Sequence, residues 1–368
     1  MFIQIKNKKY REAIKMKRKV LTVVCCVTML GSLLTGCGSK ASTTVATEEQ
    51  TVATEEKTEA VEATTAEAST TEAATTEATA DGDVVKANEN YKIALITMDS
   101  IDQHWVTMNE GAQAEAEKDG VTVDFMSPDQ KDDAKQIEYV NNAVAGGYDA
   151  IMVAANGPDA ITGALKDAIA AGIKIVYVDS PANLEAEATF STDNKAAGKT
   201  AGEQMLAGLT EKGITNGDIG IVNVNASTQT AVDREAGFRE AFEGTSFNML
   251  ETQYCDGDAS KAQSIAENYI TQGVVGIYGT NEGSSTGVGN AIKASGNADI
   301  IGVGFDKSDS IKGLIKDGYL LCAMAQNPDL MGQQGVQACI KALNGEELGG
   351  ITMDTGVSVL TKDNVDQY

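Results

Sequence analysis

From Tyr91 onward the chain alternates short apolar runs with amphipathic stretches of helical length, and this alternation restricts the fold more than any other feature. The runs are KIALIT (92–97), VTVDFM (121–126), AIMVAA (150–155), KIVYVD (174–179), DIGIVNV (218–224), FNMLETQ (247–253), VVGIYG (274–279) and IIGVGFD (300–306). In the intervening stretches, such as DAITGALKDAIAAG, apolar residues recur every three or four positions and a glycine often follows. Repeated strand, helix, strand units need right-handed crossovers and give parallel sheets covered by helices on both faces. The sequence therefore predicts a doubly wound α/β protein.

Length and charge limit the partners of the protein. A chain of 368 residues is long enough for two domains of ordinary size. Its formal charge of -24 argues against nucleic acid, because phosphates attract a basic surface. Acidity of this kind is typical of a soluble, solvated surface.

Residues 1–36 have the composition of an export signal. Eight basic residues stand there against the single acid Glu12, and the apolar run from Val20 to Leu34 follows them. That run is too short to span a bilayer comfortably and has the length of a signal-peptide core. We expect residues 1–36 to be a signal peptide. Met16 begins a stretch that looks like a complete signal by itself, so Met1 and Met16 are both candidate starts.

The tetrapeptide LTGC at the end of this run resembles the lipobox of bacterial lipoproteins. In that motif an apolar residue and two small ones precede the cysteine that receives the lipid and becomes the mature N-terminus. The resemblance implies a lipid on Cys37 and attachment to the outer face of the cytoplasmic membrane. An ordinary signal peptide and a membrane anchor are the alternatives.

Residues 37–90 are built mainly from Thr, Ala, Glu, Ser and Val, with no aromatic residue before Tyr91. Such a segment cannot bury enough apolar surface to offset the entropy of ordering the chain. We expect it to be a disordered tether between the lipid and the folded body.

The six cysteines divide into two groups. Cys25 and Cys26 would leave with the signal, and Cys37 would carry the lipid. The remainder have neither metal-ligand spacing nor the even number of a disulfide framework. We therefore expect three small buried thiols, Cys255, Cys322 and Cys339.

Polar residues follow the predicted strands at corresponding places. They are found at 99–105, Asn156, Asp179, Asn281 and Asp306, and the first group contains the single His and the single Trp of the chain, His104 and Trp105. In doubly wound sheets, ligands bind beyond the carboxyl ends of the strands. The simplest alternative is that some of these residues only cap the helices that follow.

Four segments resemble the ribose-binding branch of the type I periplasmic binding proteins, the solute receptors of bacterial ABC importers. They are GAQAEAEKDG (111–120), FSTDNKAAGKTAG (190–202), GVGFDKSD (302–309) and AMAQNPDLMGQQGV (323–336), and their order and spacing carry the resemblance. The likeness extends from Tyr91 to about Leu360.

The resemblance implies two Rossmann-like α/β lobes joined by a hinge of three chain crossings, with the ligand in a cleft between them. The crossings are expected near Ser191, Ala323 and Asp354. Lobe one would comprise residues 91–191 plus 325–352, and lobe two residues 192–323 plus 353–368.

The resemblance also implies the ligand-binding residues. Asp102, His104 and Trp105 match a polar residue and two adjacent aromatics that sandwich a sugar ring in the family, since an aromatic face contacts C–H groups at little entropic cost. A Trp that only anchors the first helix, beside a surface His, is the alternative. The remaining matches place hydroxyl-binding carboxylates and amides around the ring at Asn156, Asp179, Asn281, Asp306 and Gln326.

The sequence departs from the family pattern at several of these positions. The family's Arg in lobe two falls at Val232 by strict spacing, whereas Arg234 stands two places later and could serve the cleft or a structural ion pair. Gly257 stands where the family has a third aromatic, and Ala155 competes with Asn156 for one match. Ser180 replaces a residue that is often Arg. Together these changes predict a more acidic cleft than that of a ribose receptor, so the sugar stays open.

The sequence thus predicts a monomeric, lipid-anchored receptor that captures a sugar or polyol-like solute and presents it to an ABC permease. It contains no motif for a cofactor, no metal-ligand spacing and no evident nucleophile and base, so we expect no enzymatic activity. A sensory receptor for a chemoreceptor or histidine kinase would use the same cleft. A glycoside hydrolase using Asp179 and Asp306 as its carboxylates is less favoured.

Overall fold

The structure, a computed structural model, describes residues 86–368. The expected signal peptide, Cys37 and almost all of the expected tether lie outside the described residues. The described chain forms two sheets, one parallel and one mainly parallel, each covered by helices on both faces. The α/β class predicted from the alternating pattern is confirmed.

The first sheet has six strands, all of them parallel, in the order β12-β5-β4-β3-β1-β2. The strands are β1 (Lys92–Ile96), β2 (Thr122–Phe125), β3 (Ala150–Val153), β4 (Lys174–Val178), β5 (Ala188–Ser191) and β12 (Ile351–Asp354). Its helices are α1 (Gln103–Asp119), α2 (Asp133–Ala145), α3 (Thr162–Ala170) and α9 (Pro328–Leu343). We call this unit lobe one.

The second sheet runs in the order β13-β11-β10-β9-β6-β7, and a short strand β8 also pairs with β6. The strands are β6 (Gly217–Asn223), β7 (Phe247–Met249), β8 (Gln253–Tyr254), β9 (Gly276–Gly279), β10 (Ile301–Phe305), β11 (Cys322–Gln326) and β13 (Val357–Thr361), of which β13 is antiparallel to β11. Its helices are α4 (Asn194–Glu211), α5 (Gln229–Ala241), α6 (Ala259–Gln272), α7 (Glu282–Ser295) and α8 (Asp309–Lys316). We call this unit lobe two.

The chain passes between the two sheets three times. The passages follow β5, β11 and β12, and each is only one or two residues long. Strand pairing moves two of the expected boundaries by a few residues. Strand β11 stays in the second sheet through Gln326, which pairs with Val357, and β12 stays in the first sheet through Asp354, which pairs with Ser191. The expected limits at 323, 325 and 352 therefore cut into two strands.

Apolar side chains fill both faces of the two sheets, as expected for strands buried between helices. Strands β3 and β10 have no residue that is even half-exposed. The thiols of Cys255, Cys322 and Cys339 are unpaired and buried in this interior, which confirms their expected structural role. Burial raises the pKa of Cys255 to about 11, so this thiol stays protonated.

Glycines bring pairs of helices into backbone contact in both lobes. In lobe one, a Cβ at Gly332 of α9 would lie 2.1 Å from the carbonyl oxygen of Met108 in α1. In lobe two, a Cβ at Gly198 of α4 would lie 2.1 Å from the carbonyl oxygen of Arg234 in α5. These helices carry Trp105 and Arg234, so the glycine contacts fix the positions of both side chains.

We expect Gly332→Ala to lower the free energy of unfolding by ~2 kcal/mol, because the added methyl group forces two helices apart in a packed interior. Urea denaturation measures the effect. Gly163→Ala is the matched control, because a Cβ there meets nothing within 4 Å and alanine favours the helix by roughly 0.5 kcal/mol or more. Equal stability of the two variants would contradict the close-contact interpretation.

Candidate functional site

The carboxyl ends of the two sheets enclose a small cavity between the lobes. Its volume is about 30 Å³, room for roughly two water molecules. Eight of the nine expected ligand residues line it: Asp102, His104, Trp105, Asp179, Arg234, Asn281, Asp306 and Gln326. Met98, Lys131, Val224, Thr228, Thr230 and Ala231 complete the wall.

Two aspartates occupy equivalent strand-end positions in the two lobes. Asp179 follows β4 with φ 66°, and Asp306 follows β10 with φ 75°. A left-handed backbone costs a residue other than glycine about 1 kcal/mol, although aspartate tolerates it better than most. Such strain is concentrated at functional sites, where it aims a side chain in one direction. In this protein it directs one carboxylate from each lobe into the same cavity.

His104 lies between these two carboxylates. Its Nε2 is 3.1 Å from Oδ2 of Asp179, and its Nδ1 is 3.6 Å from Oδ1 of Asp306. The first contact is an ion pair without the alignment of a hydrogen bond. Burial by itself lowers the pKa of His104, but the two carboxylates outweigh burial and raise it. When protonated, this imidazole links lobe one to lobe two electrostatically.

Trp105 belongs both to the core of lobe one and to the cavity wall. The residue is 4% exposed and packs with Met98 and Met108, while its Nε1 donates to Oδ2 of Asp99 at 3.2 Å. The His104 ring meets the indole edge to face, with centroids 4.6 Å apart. Both aromatic rings thus lie at the cavity, but they contact each other and do not face each other across a gap; His104 is buried, so the surface position considered for it is wrong.

Lys131 is a cavity residue that the sequence did not reveal. It lies in the loop between β2 and α2, where its ammonium pairs with Asp99 and, at 2.7 Å, with Oδ2 of Asp102. A Cβ at Gly257 would approach the Lys131 Nζ to 2.8 Å. The lysine stem from lobe one therefore occupies the space that a side chain at position 257 of lobe two would need.

Arg234, rather than Val232, faces the cavity. Val232 is 37% exposed, whereas Arg234 is buried, with its guanidinium 3.8 Å from the centre of the Phe305 ring. The Arg234 Nε donates to Asn194 at 2.7 Å, and a terminal nitrogen donates to the carbonyl of Thr280 at 3.0 Å. Among the described residues no carboxylate lies within ion-pair distance of this cation, so the structural ion pair considered from the sequence is not found.

Asn156 does not belong to the cavity wall. Its amide donates to Asp133 at 2.5 Å and its backbone carbonyl accepts from Thr228 of lobe two at 2.8 Å. The competing residue Ala155 is buried in the core of lobe one. The backbone of position 156 therefore contacts the other lobe, while its side chain turns toward α2 of its own lobe.

The amides at the cavity also organise the backbone. Asn281 caps α7 by accepting from the N–H of Ser284 at 3.1 Å. Gln326 donates to Oδ1 of Asp306 at 2.7 Å and accepts from Thr192 at 2.9 Å, which ties two chain crossings to one carboxylate. Both residues line the cavity as well, so helix capping and a place in the site occur together here.

No helix of the described part of the chain has the length and apolar character needed to cross a bilayer.

Known proteins are similar to this chain in sequence and in fold. Residues 93–347 match the family model described as a periplasmic binding protein domain. The ribose import binding protein of Salmonella typhimurium (strain LT2) is 30% identical over 278 residues, which cover 74% of this chain and 92% of that protein.

Solved structures agree with this match. An ABC transporter solute binding protein from Agrobacterium vitis with bound D-fucose is 31% identical, with a TM-score of 0.70, 75% of this chain covered and 97% of that one. A carbohydrate transporter solute binding protein from Agrobacterium radiobacter, in complex with D-arabinose, is 26% identical, with a TM-score of 0.72 and coverage of 76% and 96%. The resemblance carried by the four sequence segments is thereby confirmed, and the chain belongs to the periplasmic binding protein family.

Proposed function

We propose that this protein is the extracytoplasmic receptor of an ABC importer and binds a sugar or polyol-like solute between its lobes. One observation carries the proposal. Charged and amide groups from both lobes converge on a single cavity that also presents an indole, with Asp179 and Trp105 on one side and Arg234, Asn281 and Asp306 on the other. Relatives with bound D-fucose and D-arabinose support the ligand class.

The chemistry of the wall suits a neutral, polyhydroxylated ligand. Carboxylates accept short, charge-assisted bonds from hydroxyl groups, and Asn281 and Gln326 can both donate and accept. Arg234, which is bonded to neutral oxygens, supplies a donor on the opposite side. The Trp105 face offers apolar contact to C–H groups of the ring.

Loading of the cleft requires the lobes to separate. Room for roughly two water molecules is too little for a monosaccharide, so the sugar cannot enter the arrangement described above. Contacts to both lobes exist only when the lobes approach each other, and a ligand can shift that equilibrium only by binding one arrangement better than the other. We propose that closure around the solute is the state that an ABC permease recognises, and that the receptor acts as a monomer.

We also propose that a lipid on Cys37 holds the receptor at the outer face of the cytoplasmic membrane. The proposal rests on the LTGC sequence after an apolar run of signal-peptide length. A lipidated receptor stays near its permease, whereas a free receptor diffuses away in a cell without an outer membrane.

Trp105→Ala should raise the dissociation constant for the bound sugar about thirtyfold, because a central ring buried against the ligand contributes roughly 2 kcal/mol. Thermal shift against D-ribose, D-allose, D-fucose and D-arabinose first selects the sugar, since ligand at 100 times its dissociation constant adds about 2.7 kcal/mol of stability. Titration calorimetry then compares the variants. Trp105→Phe keeps an aromatic face, loses the bond to Asp99 and should weaken binding far less. Unchanged affinity of the alanine variant would contradict the proposed role of the ring.

Cys37→Ser should release the receptor from the membrane fraction and abolish incorporation of labelled palmitate. The experiment uses the full chain expressed in a bacterium that processes lipoproteins. Cys25→Ser lies inside the expected signal and serves as the control, because it should leave both readouts unchanged. Continued labelling of the Cys37→Ser protein would show that the lipid is not on Cys37.

Lys131→Met should lower the free energy of unfolding by about 3 kcal/mol, because it leaves Asp99 and Asp102 buried without their cation. Lys174→Met is the control, since the Lys174 pair with Glu187 is partly exposed and such pairs contribute under about 1 kcal/mol. Urea denaturation compares the two. A loss no larger than that of the control would mean that water, rather than Lys131, compensates the two aspartates.

A further inference from the structure

Glu282 reaches across the cleft to the beginning of helix α1. It is the first residue of α7 in lobe two, directly after the cavity residue Asn281. Its Oε2 accepts a hydrogen bond from the backbone N–H of His104 at 3.2 Å, and the N–H of Gln103 also contacts this carboxyl. Both donors belong to the first turn of α1 in lobe one.

Helix α1 has no cap of its own. The N-cap residue Asp102 makes no side-chain bond to the helix, because its carboxylate is paired with Lys131. The first N–H groups of a helix need acceptors, and a negative charge near them is stabilising because of the helix dipole. The missing acceptor is therefore supplied by the opposite lobe.

We propose that Glu282 is a positioning residue that couples lobe closure to the placement of the two rings at the ligand. The bond forms only when lobe two lies against lobe one, since its donor and acceptor belong to different lobes. It fixes the first turn of α1, and that turn carries His104 and Trp105. This proposal rests on the proposed sugar-binding function for its final readout, although the interlobe contact exists independently of it.

The surroundings of Glu282 make the contact sensitive to pH. Burial is the main cause that raises the pKa of Glu282 to about 7, and Asp102 and Asp306, which face it from the two lobes, raise it further. The bonds from Gln103 and His104 act in the opposite direction and are outweighed. Within the described residues no cation lies within ion-pair distance of this carboxyl.

The sign of the pH effect follows from these contacts. An exposed Glu282 in separated lobes titrates near its ordinary value of 4.5, whereas in the closed arrangement it titrates near 7. The closed form therefore binds a proton more tightly, and closure is favoured as the pH falls from 8 to 6. His104 acts in the same direction, because Asp306 of the opposite lobe raises its pKa further. Variants at Glu282 itself are needed to separate the two contributions.

Three variants of the protein distinguish the effect of the hydrogen bond to α1 from the effect of the negative charge. Glu282→Gln keeps an oxygen acceptor and removes the charge, and Glu282→Ala removes both. Asp309→Ala is the matched control, because Asp309 is also the first residue of its helix but its side chain is 94% exposed. Each variant is checked by thermal unfolding, so that a misfolded protein is recognised.

Small-angle X-ray scattering at pH 6 and pH 8, without sugar, measures closure directly. We expect the wild-type radius of gyration to be smaller at pH 6. We expect that of Glu282→Gln to change less with pH, and that of Glu282→Ala to be larger than wild type at both values. The Asp309→Ala control should follow the wild type. Identical scattering of all four proteins would overturn the proposal whether or not any sugar binds.

Fluorescence of Trp105, the single Trp of the chain, then reports binding kinetics in stopped flow. D-ribose and D-fucose are the probes. Glu282→Ala should raise the dissociation rate about tenfold and leave the association rate little changed. Glu282→Gln, which keeps an oxygen acceptor, should have a dissociation rate close to that of the wild type at pH 7. Equal dissociation rates of the alanine variant and wild type would overturn the coupling. Failure of both sugars to bind any variant would count against the proposed function alone, because the scattering result still decides the role of Glu282.

Discussion

An electrostatic bridge from Asp179 through His104 to Asp306 joins the two lobes at the centre of the cleft. Each aspartate ends a central strand of its own sheet in a left-handed conformation, which aims the two carboxylates toward each other. Two like charges in a buried cleft repel each other, and a protonated imidazole between them changes that repulsion into attraction. A polyhydroxylated ligand that replaces the imidazole contacts must satisfy both carboxylates in the same way, with donors on two opposite sides.

Three cationic side chains lie among the carboxylates of this cleft, and their contacts differ. Lys131 forms ion pairs with Asp99 and Asp102, and these pairs hold the loop before α2 against the N-terminus of α1. Arg234 is held by neutral oxygens and by the Phe305 ring, so its charge remains available to the cavity. Of these three cations, only His104 has an ordinary pKa near neutrality, and the neighbouring carboxylates raise that pKa. The cleft therefore contains a lysine paired with two aspartates, an arginine whose charge is available to a ligand, and a histidine that can gain or lose a proton between two carboxylates.

Much of the fold follows from the apolar pattern, because a buried parallel strand reads as a continuous apolar run. All eight runs contain strands, whereas β5 and β12 have alternating or exposed side chains and give no such signal. The strand-end rule and the family resemblance together brought eight cavity residues into view. They could not reveal Lys131 or Glu282, because each acts on a partner that is distant in sequence: Lys131 on two aspartates of its own lobe, and Glu282 on the first turn of α1 across the cleft. Asn156 lies outside the wall of this cavity because its side-chain amide is bonded to Asp133, another residue distant in sequence.

The glycine contacts between helices have a mechanical consequence. Where α1 meets α9 and α4 meets α5, backbone lies directly on backbone and no layer of compressible side chains separates the helices. Each lobe should therefore move as a rigid unit. Rotation between the lobes should occur in the short crossings at 192–193, Asn327 and 355–356. A small rotation of the backbone dihedral angles at these crossings would open the cleft widely at the edge farthest from the hinge, because each lobe is long. The receptor thus consists of two rigid lobes joined by a short hinge.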